Sequence, residues 1–343
     1  MSQTVKNVCL VLLSLGLGFA ALETFLFITL RYPIVHKVVP DFVTKISRRI
    51  YFAYDMKSIQ FLPESSRYDR ELAYTLRPGK FIFSNAEFAT EYTVNSLGVR
   101  DTEASLDSPR IIVLGDSYAM GWGVGQNQTF AKLLEAKTGL RVLNAAVASY
   151  GTAREMILLR KIKKDKFKYL IIQYCENDYE ENLSFKKNGN KLKIMSKDEY
   201  ERLVQADREH LRYYFGKFFS GAIHMIKRDY LYLFNLVDRK KFIAELNRGP
   251  QDEAAIFIYV LVNSGIDLGG KQLIVFSATE NTTFTSGLKE QIADSNYPSY
   301  IRNMIIIDTT NIITDNERLL LDGHYNASGH QALADKLLPY IKY

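Results

Sequence analysis

Short apolar segments alternate with helical ones from Arg110 to the end of the chain, and this alternation limits the folds that the chain can adopt. Helical spacing marks Phe130–Lys137, Ala153–Lys163 and Ala327–Ile341. The runs that predict strands are Ile111–Leu114, Val142–Ala145, Tyr169–Tyr174, Gln272–Phe276 and Met304–Ile307. Strands that are apolar on both faces need cover on both sides, as in a parallel sheet between two helical layers. We therefore predict a three-layer α/β/α domain with a five-stranded parallel sheet at residues 110–343.

Residues 1–31 predict a transmembrane anchor. Asn7–Leu30 is almost entirely apolar, has Glu23 as its only charge and is long enough to cross a hydrocarbon layer about 30 Å thick. A cleaved signal peptide is the alternative, but the apolar run exceeds the usual length of about 7–15 residues and no small-x-small cleavage site follows it. We expect a retained single-pass helix that contacts membrane lipid through residues 7–30.

The charges beside this helix favour a cytoplasmic location for the rest of the chain. Lys6 precedes the apolar run, and a larger group of basic residues follows it: Arg31, Lys37, Lys45, Arg48 and Arg49. Loops rich in lysine and arginine stay on the cytoplasmic side of a membrane. The family resemblance described below favours the opposite side, and we predict an extracytoplasmic domain.

Two other regions differ in composition from the predicted sheet domain. Residues 32–109 form a juxtamembrane and β-rich lead-in. Its part at 31–54 suits either a segment against lipid headgroups or a short linker helix, and 62–103 has the alternation and turns of hairpins. Residues 184–248 form an insertion rich in Lys, Arg, Tyr and Phe, which suits a lid, a membrane-facing surface, a partner site, or a helix packed on the core with a solvated basic face.

The overall composition excludes several classes of protein. Hydrophobic residues make up 47% and charged residues 24% of 343, so the chain can bury a large core. A net charge of +6 is too modest to indicate nucleic-acid binding. Two cysteines, Cys9 and Cys175, cannot form the disulfide framework of a small secreted domain. No pair of histidines has the spacing of metal ligands, and we expect neither a metal nor another cofactor.

Polar clusters follow four of the predicted strands, at the sheet edge where ligands bind in such folds. They are Gly115-Asp116-Ser117, Asn144–Thr152, Glu176-Asn177-Asp178 and Asp322-Gly323-His324. A serine hydroxyl becomes a nucleophile when an imidazole takes its proton, and the imidazole needs a carboxylate beside it. Ser117, His324 and Asp322 fit these roles. The backbone N–H of Ser117, an N–H in the turn after the second strand and the Asn177 amide fit an oxyanion hole.

Four ordered blocks, VLGDSYAMGWGV, NAAVASYGT, QYCENDYEEN and DGHYNASGH, resemble the SGNH (GDSL-type) hydrolases. The resemblance covers Arg110–Tyr343 and implies a flavodoxin-like fold. It also implies that Ser117 is the nucleophile, that Asp322 and His324 supply the base, and that Ser117, a glycine amide and Asn177 form the oxyanion hole. The segments ELAYTLRPGK and VNSLGVRD resemble the lead-in of membrane-anchored bacterial members.

The chain departs from that pattern at three places. Glu176 stands where the family commonly has glycine, which adds a carboxylate beside the pocket. The glycine of the second block falls at Ser149, which would be strained if the turn needs a positive φ, and Gly151 is the alternative donor. Asp-x-His replaces the commoner Asp-x-x-His spacing. His324 remains the predicted base over His330, which falls on the terminal helix, where a surface or packing role is expected.

Several other residues are expected to have no part in the reaction. His36, His210 and His224 lie outside the four blocks, and Asp116 is expected to cap the helix after the first strand or brace the turn. The stretch around Ser117 lacks the second glycine of the Gly-x-Ser-x-Gly elbow and the Gly-Lys-Ser/Thr ending of a phosphate loop. An α/β-hydrolase and a nucleotide hydrolase are therefore both disfavoured.

These observations predict a membrane-anchored serine esterase or O-acyltransferase that forms an acyl-enzyme at Ser117. The resemblance implies acyl esters, above all acetyl esters, of cell-envelope polysaccharide as the substrate, and in some members a multi-pass membrane acyltransferase as a partner. A catalytically silent, membrane-tethered scaffold or polymer binder is the second hypothesis, because Glu176 and Ser149 depart from the pattern. A lipase or thioesterase whose insertion holds acyl chains is the third.

Overall fold

The computed structural model describes residues 2–163, 166–233, 250–279 and 282–342. The described chain begins with two helices, α1 (Gln3–Arg31) and α2 (Asp41–Tyr54). By length and composition, α1 is the one helix among the described residues that is suited to cross a membrane. Arg31, at its end, forms an ion pair with Asp55, which directly follows α2. The two helices are therefore joined at their C-terminal ends.

Two antiparallel hairpins follow, in the segment where the sequence predicts them. β1 (Ser66–Asp69) pairs with β2 (Ala73–Leu76), and β3 (Gly79–Asn85) pairs with β4 (Phe88–Val94). The β3–β4 hairpin turns its Phe83 and Tyr92 into the core of the sheet domain. The lead-in is thus packed on the domain that carries the predicted site.

The five strands predicted from the apolar runs form one parallel sheet. They are β5 (Ile111–Leu114), β6 (Val142–Asn144), β7 (Tyr169–Tyr174), β8 (Gln272–Ser277) and β9 (Ile305–Ile307). Their order is β6-β5-β7-β8-β9, which is the flavodoxin-like order. The first strand, β5, has the second on one side and the third on the other. Ligands bind in the crevice at such a switch point, beyond the carboxyl end of the strand.

Helices cover both faces of this sheet, as predicted. The helices of this part of the chain, within the described residues, are α3 (Ser117–Met120), α4 (Phe130–Thr138), α5 (Thr152–Arg160), α6 (Asp178–Lys187), α7 (Lys197–Leu211), α8 (Lys217–Leu233), α9 (Pro250–Asn263), α10 (Thr282–Gln291), α11 (Ser299–Arg302) and α12 (Ala327–Leu337), of which α8 does not contact the sheet core. Ile112 and Leu114 pack toward α5, α9 and α10, whereas Ile111 and Val113 pack toward α4 and α12. Successive residues of a strand point to opposite faces, so this run of four buries both layers.

Several predicted boundaries differ from the observed ones. β8 ends one residue later than predicted, at Ser277, β9 begins one residue later, at Ile305, and α4 ends one residue later, at Thr138. β6 ends one residue earlier than predicted, at Asn144. The second predicted helix runs over Thr152–Arg160 and not Ala153–Lys163. The terminal helix ends at Leu337 and is followed by a 3-10 turn that contains Pro339, because proline has no N–H to continue the helix.

The insertion packs in two different places. Phe185 of α6 and Tyr200 of α7 belong to the core of the sheet domain, as expected of a helix packed on the core, whereas α8 packs elsewhere. Phe218 and Met225 of α8 pack with Leu26 and Leu30 of α1 and with Ile50 of α2, in a cluster separate from the two sheet cores. The expectation of a helix packed on the sheet core is therefore wrong for α8, because its apolar face meets the apolar face of α1. Residues 234–249, which include the end of the predicted insertion, lie outside the described residues.

Candidate active site

The turn after β5 presents Ser117 at the switch point of the sheet. Gly115 has a φ of +152°, and a Cβ there would lie 2.5 Å from Oε1 of Gln173, so the position needs glycine. Asp116 accepts a hydrogen bond from the Tyr118 N–H at 3.0 Å, which confirms its expected capping role. Ser117 is half-buried and is the first residue of α3, where an N–H has no acceptor within the helix. Its N–H is therefore available to a ligand.

Folding brings Ser117 to the distant pair Asp322 and His324. The Ser117 Oγ lies 2.7 Å from Nε2 of His324, and Nδ1 of the same ring is hydrogen-bonded to Oδ1 of Asp322. Burial would raise the pKa of Asp322, but the adjacent His324 and several hydrogen bonds hold that pKa below its usual value. The carboxylate is thus kept ionised beside the imidazole. A hydroxyl, a base and an orienting carboxylate stand in the relation that nucleophilic catalysis requires.

Two residues that the sequence did not point to hold the second oxygen of Asp322. Tyr51 donates its hydroxyl to Oδ2 at 2.9 Å, and Trp122 donates Nε1 to the same atom at 3.0 Å. The Trp122 ring also stacks on His324 with centroids 5.2 Å apart, and the centroid of Tyr118 lies 4.4 Å from that of His324. With Oδ2 held in this way, Oδ1 faces the imidazole. Trp122 is the single tryptophan and lies inside the first block, which was a usable signal, whereas nothing in the sequence marked Tyr51.

The loop that carries Asp322 is fixed from the lead-in and from α2. The carboxylate of Glu87, in the β3–β4 turn, accepts hydrogen bonds from the N–H groups of Leu320, Leu321 and Asp322 at 2.6–2.8 Å. Burial raises the pKa of Glu87 in spite of these bonds. Arg48 of α2 donates Nε to the carbonyl oxygen of Leu320. Side chains that are far away in sequence therefore fix the position of the loop that carries Asp322.

The structure separates the two candidates for the second oxyanion donor. Gly151 donates its N–H to Oε1 of Glu181 at 3.1 Å, so that N–H already has an acceptor, which favours Ser149 as the predicted donor. Ser149 has a φ of +58° and is exposed, so it has the left-handed backbone that the sequence comparison with a glycine anticipated. Its Oγ accepts a hydrogen bond from Nε2 of Gln60 at 3.2 Å. A side chain is accommodated because it points to the lead-in.

Asn177 and Glu176 are exposed at the end of β7, the strand beside β5. Asn177 directly precedes α6, whose start is bonded to α5: Oδ2 of Asp178 accepts from Thr152 Oγ1 at 2.8 Å, and Oδ1 of Asn182 accepts from the Ala153 N–H at 2.9 Å. Oε1 of Glu176 lies 3.4 Å from Oγ1 of Thr279, on the loop after β8. The Asn177 position is thus tied to the turn that carries Ser149, since α5 follows that turn.

The other histidines are buried in packing positions, bonded to backbone carbonyls or exposed on the surface. His330 is buried, accepts the Phe130 N–H at 3.2 Å on Nδ1, and has its pKa lowered to about 3 by burial, so it packs and does not serve as the base. His36 bonds to the Thr29 carbonyl and His210 to the Ala53 carbonyl. His224 is exposed on α8. Within the described residues, no group of three or more His, Cys, Asp or Glu side chains is placed to hold a metal ion.

No protein-family model matches the sequence, and no curated protein sequence matches it. Among solved structures, the chain is similar to a carbohydrate esterase described as having divergent catalytic and non-catalytic binding functions in its active site. The TM-score is 0.37 at 12% identity, over 68% of each chain. It is also similar to a structure reported under the G-D-S-L family of lipolytic proteins from Desulfitobacterium hafniense DCB-2, with a TM-score of 0.32 at 9% identity over 67% of this chain and 98% of that one. At these identities and TM-scores, the solved structures carry no argument about chemistry, which therefore depends on the residues of this chain alone.

Proposed function

We propose that this protein is a membrane-anchored serine esterase or O-acyltransferase that acts on acyl esters through an acyl-enzyme at Ser117. The observation that carries the proposal is the 2.7 Å contact between Ser117 Oγ and His324 Nε2, with Nδ1 of the same ring on Asp322. Nucleophilic catalysis requires a hydroxyl, an imidazole and a carboxylate that are hydrogen-bonded in this order, whereas packing does not. A scaffold would have no use for an ionised, buried carboxylate behind an imidazole that faces a half-buried hydroxyl.

The reaction follows from the positions of these groups. His324 Nε2 takes the Ser117 proton as Oγ attacks the ester carbonyl, and Asp322 stabilises the imidazolium that forms. The N–H groups of Ser117 and Ser149 and the Asn177 amide receive the negative charge of the tetrahedral intermediate. His324 then returns the proton to the leaving alkoxide, which departs as an alcohol and leaves the acyl group on Ser117. Water or an acceptor hydroxyl attacks this acyl-enzyme in the same way.

The substrate part of the proposal is acetyl esters of cell-envelope polysaccharide, and its support is the resemblance of the four sequence blocks together with the apolar helix α1. If a polysaccharide hydroxyl is the acceptor, the protein transfers acyl groups, with a multi-pass membrane acyltransferase as the donor partner. If water is the acceptor, it removes them. Free acetate is released in the second case and added polysaccharide becomes acetylated in the first, so measuring both products distinguishes the two outcomes.

The central test compares the protein with its Ser117→Ala variant. We expect hydrolysis of p-nitrophenyl acetate and labelling by a fluorophosphonate, both lost in Ser117→Ala and both retained in the matched control Ser286→Ala, an exposed serine on α10. If the unmodified protein neither hydrolyses the ester nor takes the label, the enzyme proposal fails and the silent scaffold replaces it. A cellular phenotype that Ser117→Ala leaves intact would point the same way. Activity that rises steeply with acyl length would favour the lipase or thioesterase.

We also propose that the catalytic domain lies on the extracytoplasmic side, in line with the resemblance and against the count of flanking charges. A reporter fused after Tyr343 tests this. Alkaline phosphatase fused there should be active, and a fluorescent protein that matures only in the cytoplasm should be dark. The reverse pair of results would put the domain in the cytoplasm.

A further inference from the structure

The first half of the N-terminal helix α1 is exposed, whereas its second half is partly covered by the rest of the protein. Residues 2–18 are all exposed, whereas Phe19 is the first to be partly covered by the rest of the protein. The bare helical residues, Gln3–Gly18, span about 24 Å at 1.5 Å per residue, less than the roughly 30 Å of a hydrocarbon core. If Lys6 lies among headgroups, the bare apolar length falls to about 18 Å. The rest of the core thickness must then be crossed by Phe19–Leu26, where other parts of the protein contact α1.

The start of α8 lies against α1 at this depth. The Phe19 ring packs edge-to-face on Phe215 and Phe219, with centroids 5.3 Å and 4.8 Å apart. The buried carboxylate of Glu23 accepts hydrogen bonds from the N–H of Phe219 at 2.7 Å, the N–H of Phe218 at 3.3 Å and the Tyr213 hydroxyl at 3.2 Å. A carboxylate inside a membrane helix is costly unless it is paired, and here the N-terminus of α8 supplies the partners. Residues 213–219 therefore lie at the same depth in the membrane as Phe19 and Glu23.

The outward side of this contact is mainly apolar. The exposed apolar side chains on the segment before α8 and on its first turns are Tyr213 (39% exposed), Tyr214 (61%), Phe215 (59%), Ile223 (49%) and Ile226 (64%), and His224 is the exposed polar side chain between the last two. Beside them runs a groove of about 260 Å³, formed where α1, α2 and α8 meet and lined by Leu22, Phe25, Phe42, Ile46 and Ile226 among others. Lys45 on α2 and Lys227 on α8 are exposed cations on the elements that form it. Rings and aliphatic side chains beside lysines match the boundary between acyl chains and anionic headgroups.

We propose that Tyr213–Ile226 is inserted into the same leaflet as the second half of α1, and that acyl chains of that leaflet occupy the groove between α1, α2 and α8. The inference rests on the proposal that α1 crosses a membrane and does not depend on the esterase activity. It has a consequence for that activity. Ile46, at the groove, and Tyr51, at Asp322, are five residues apart on α2, about 7.5 Å along its axis. Insertion of this segment into the leaflet therefore holds the carboxylate of Asp322 close to the lipid surface.

Depth-dependent quenching tests the insertion in the full-length protein. A single NBD probe is attached to Phe215→Cys or Ile226→Cys in a Cys9→Ser background, in which the remaining Cys175 is buried. The protein is reconstituted into vesicles of phosphatidylcholine and phosphatidylglycerol, with or without brominated acyl chains. Leu15→Cys reports on the anchor itself. Asp107→Cys, at the opposite edge of the sheet from Ser117, is the aqueous control, and circular dichroism checks that each labelled variant is folded.

Brominated lipid should quench the probes at 215 and 226 nearly as strongly as the probe at 15, with blue-shifted emission, and should leave the probe at 107 unchanged. If the probe at position 15 is quenched while the probes at 215 and 226 behave like the probe at 107, the anchor crosses the bilayer and the proposed insertion of Tyr213–Ile226 is wrong. If the probe at position 15 is not quenched either, both the anchor and the insertion are wrong. Neither result bears on hydrolysis by Ser117.

Discussion

Removing the hydroxyl of Tyr51 should lower turnover without disturbing substrate binding. In Tyr51→Phe, Oδ2 of the buried Asp322 keeps the Trp122 donor at 3.0 Å but loses the Tyr51 donor at 2.9 Å. A hydrogen bond to a charged group contributes about 1.5–3 kcal/mol, and about 1.4 kcal/mol corresponds to a factor of ten in rate. If the loss falls on the transition state, in which His324 is charged, kcat should drop by about 10-fold to 100-fold. KM should hold, because Tyr51 is placed at the carboxylate and not at the ester.

The assay is p-nitrophenyl acetate hydrolysis, with kcat and KM measured separately beside urea unfolding. Tyr169→Phe is the matched control, since its hydroxyl bonds to the backbone of Lys342 at the opposite end of the sheet. It should leave kcat unchanged. A Tyr51→Phe variant that loses stability but keeps its kcat within twofold of the unmodified protein would refute the positioning role and leave Tyr51 as a packing residue.

Three other changes test the donors, the loop and the buried histidine. Asn177→Ala should lower kcat by about 10²–10³-fold while Ser149→Gly, which keeps its N–H, retains most activity; equal losses in the ester assay would contradict the donor assignment. Glu87→Gln should lower the free energy of unfolding in urea by about 1.5–3 kcal/mol, because a charged acceptor of three N–H groups is lost, and an unchanged midpoint would rule this out. The folded pKa of His330 is about 3, below its unfolded value, so the unfolded chain binds more protons between about pH 3 and 6.5. Stability should therefore fall by about 1.4 kcal/mol per pH unit as pH decreases through this range, and urea titrations of His330→Asn should show a shallower slope than the unmodified protein.

The strands of the sheet were predictable because each is a local property of the chain. Ile111–Leu114 and Tyr169–Tyr174 were located to the residue, since both runs are buried along their whole length. Helix ends were less predictable. The terminal helix stops at Leu337 because Pro339 cannot continue it, and its apolar periodicity alone would have carried it further.

The catalytic candidates were predictable for a related reason. Ser117, Asp322 and His324 each follow a strand, and parallel strands bring their carboxyl ends to one edge of the sheet. The hydrogen bond that distinguishes Gly151 from Ser149 was not predictable, because it comes from Glu181 on another helix. Spacing in the sequence carries no information about which N–H is already bonded.

The amino-acid sequence by itself determined the strands of the sheet, the apolar helix at the N-terminus and the polar turns that follow the strands, because hydrophobic period and turn chemistry act over a few neighbouring residues. Tertiary structure alone decided what holds the base in place. Tyr51 and Asp322 are 271 positions apart, and Glu23 meets the start of α8 across a gap of 195. Contacts of this kind form only when separate elements pack, and packing is a property of the folded surfaces and not of any local stretch of the chain.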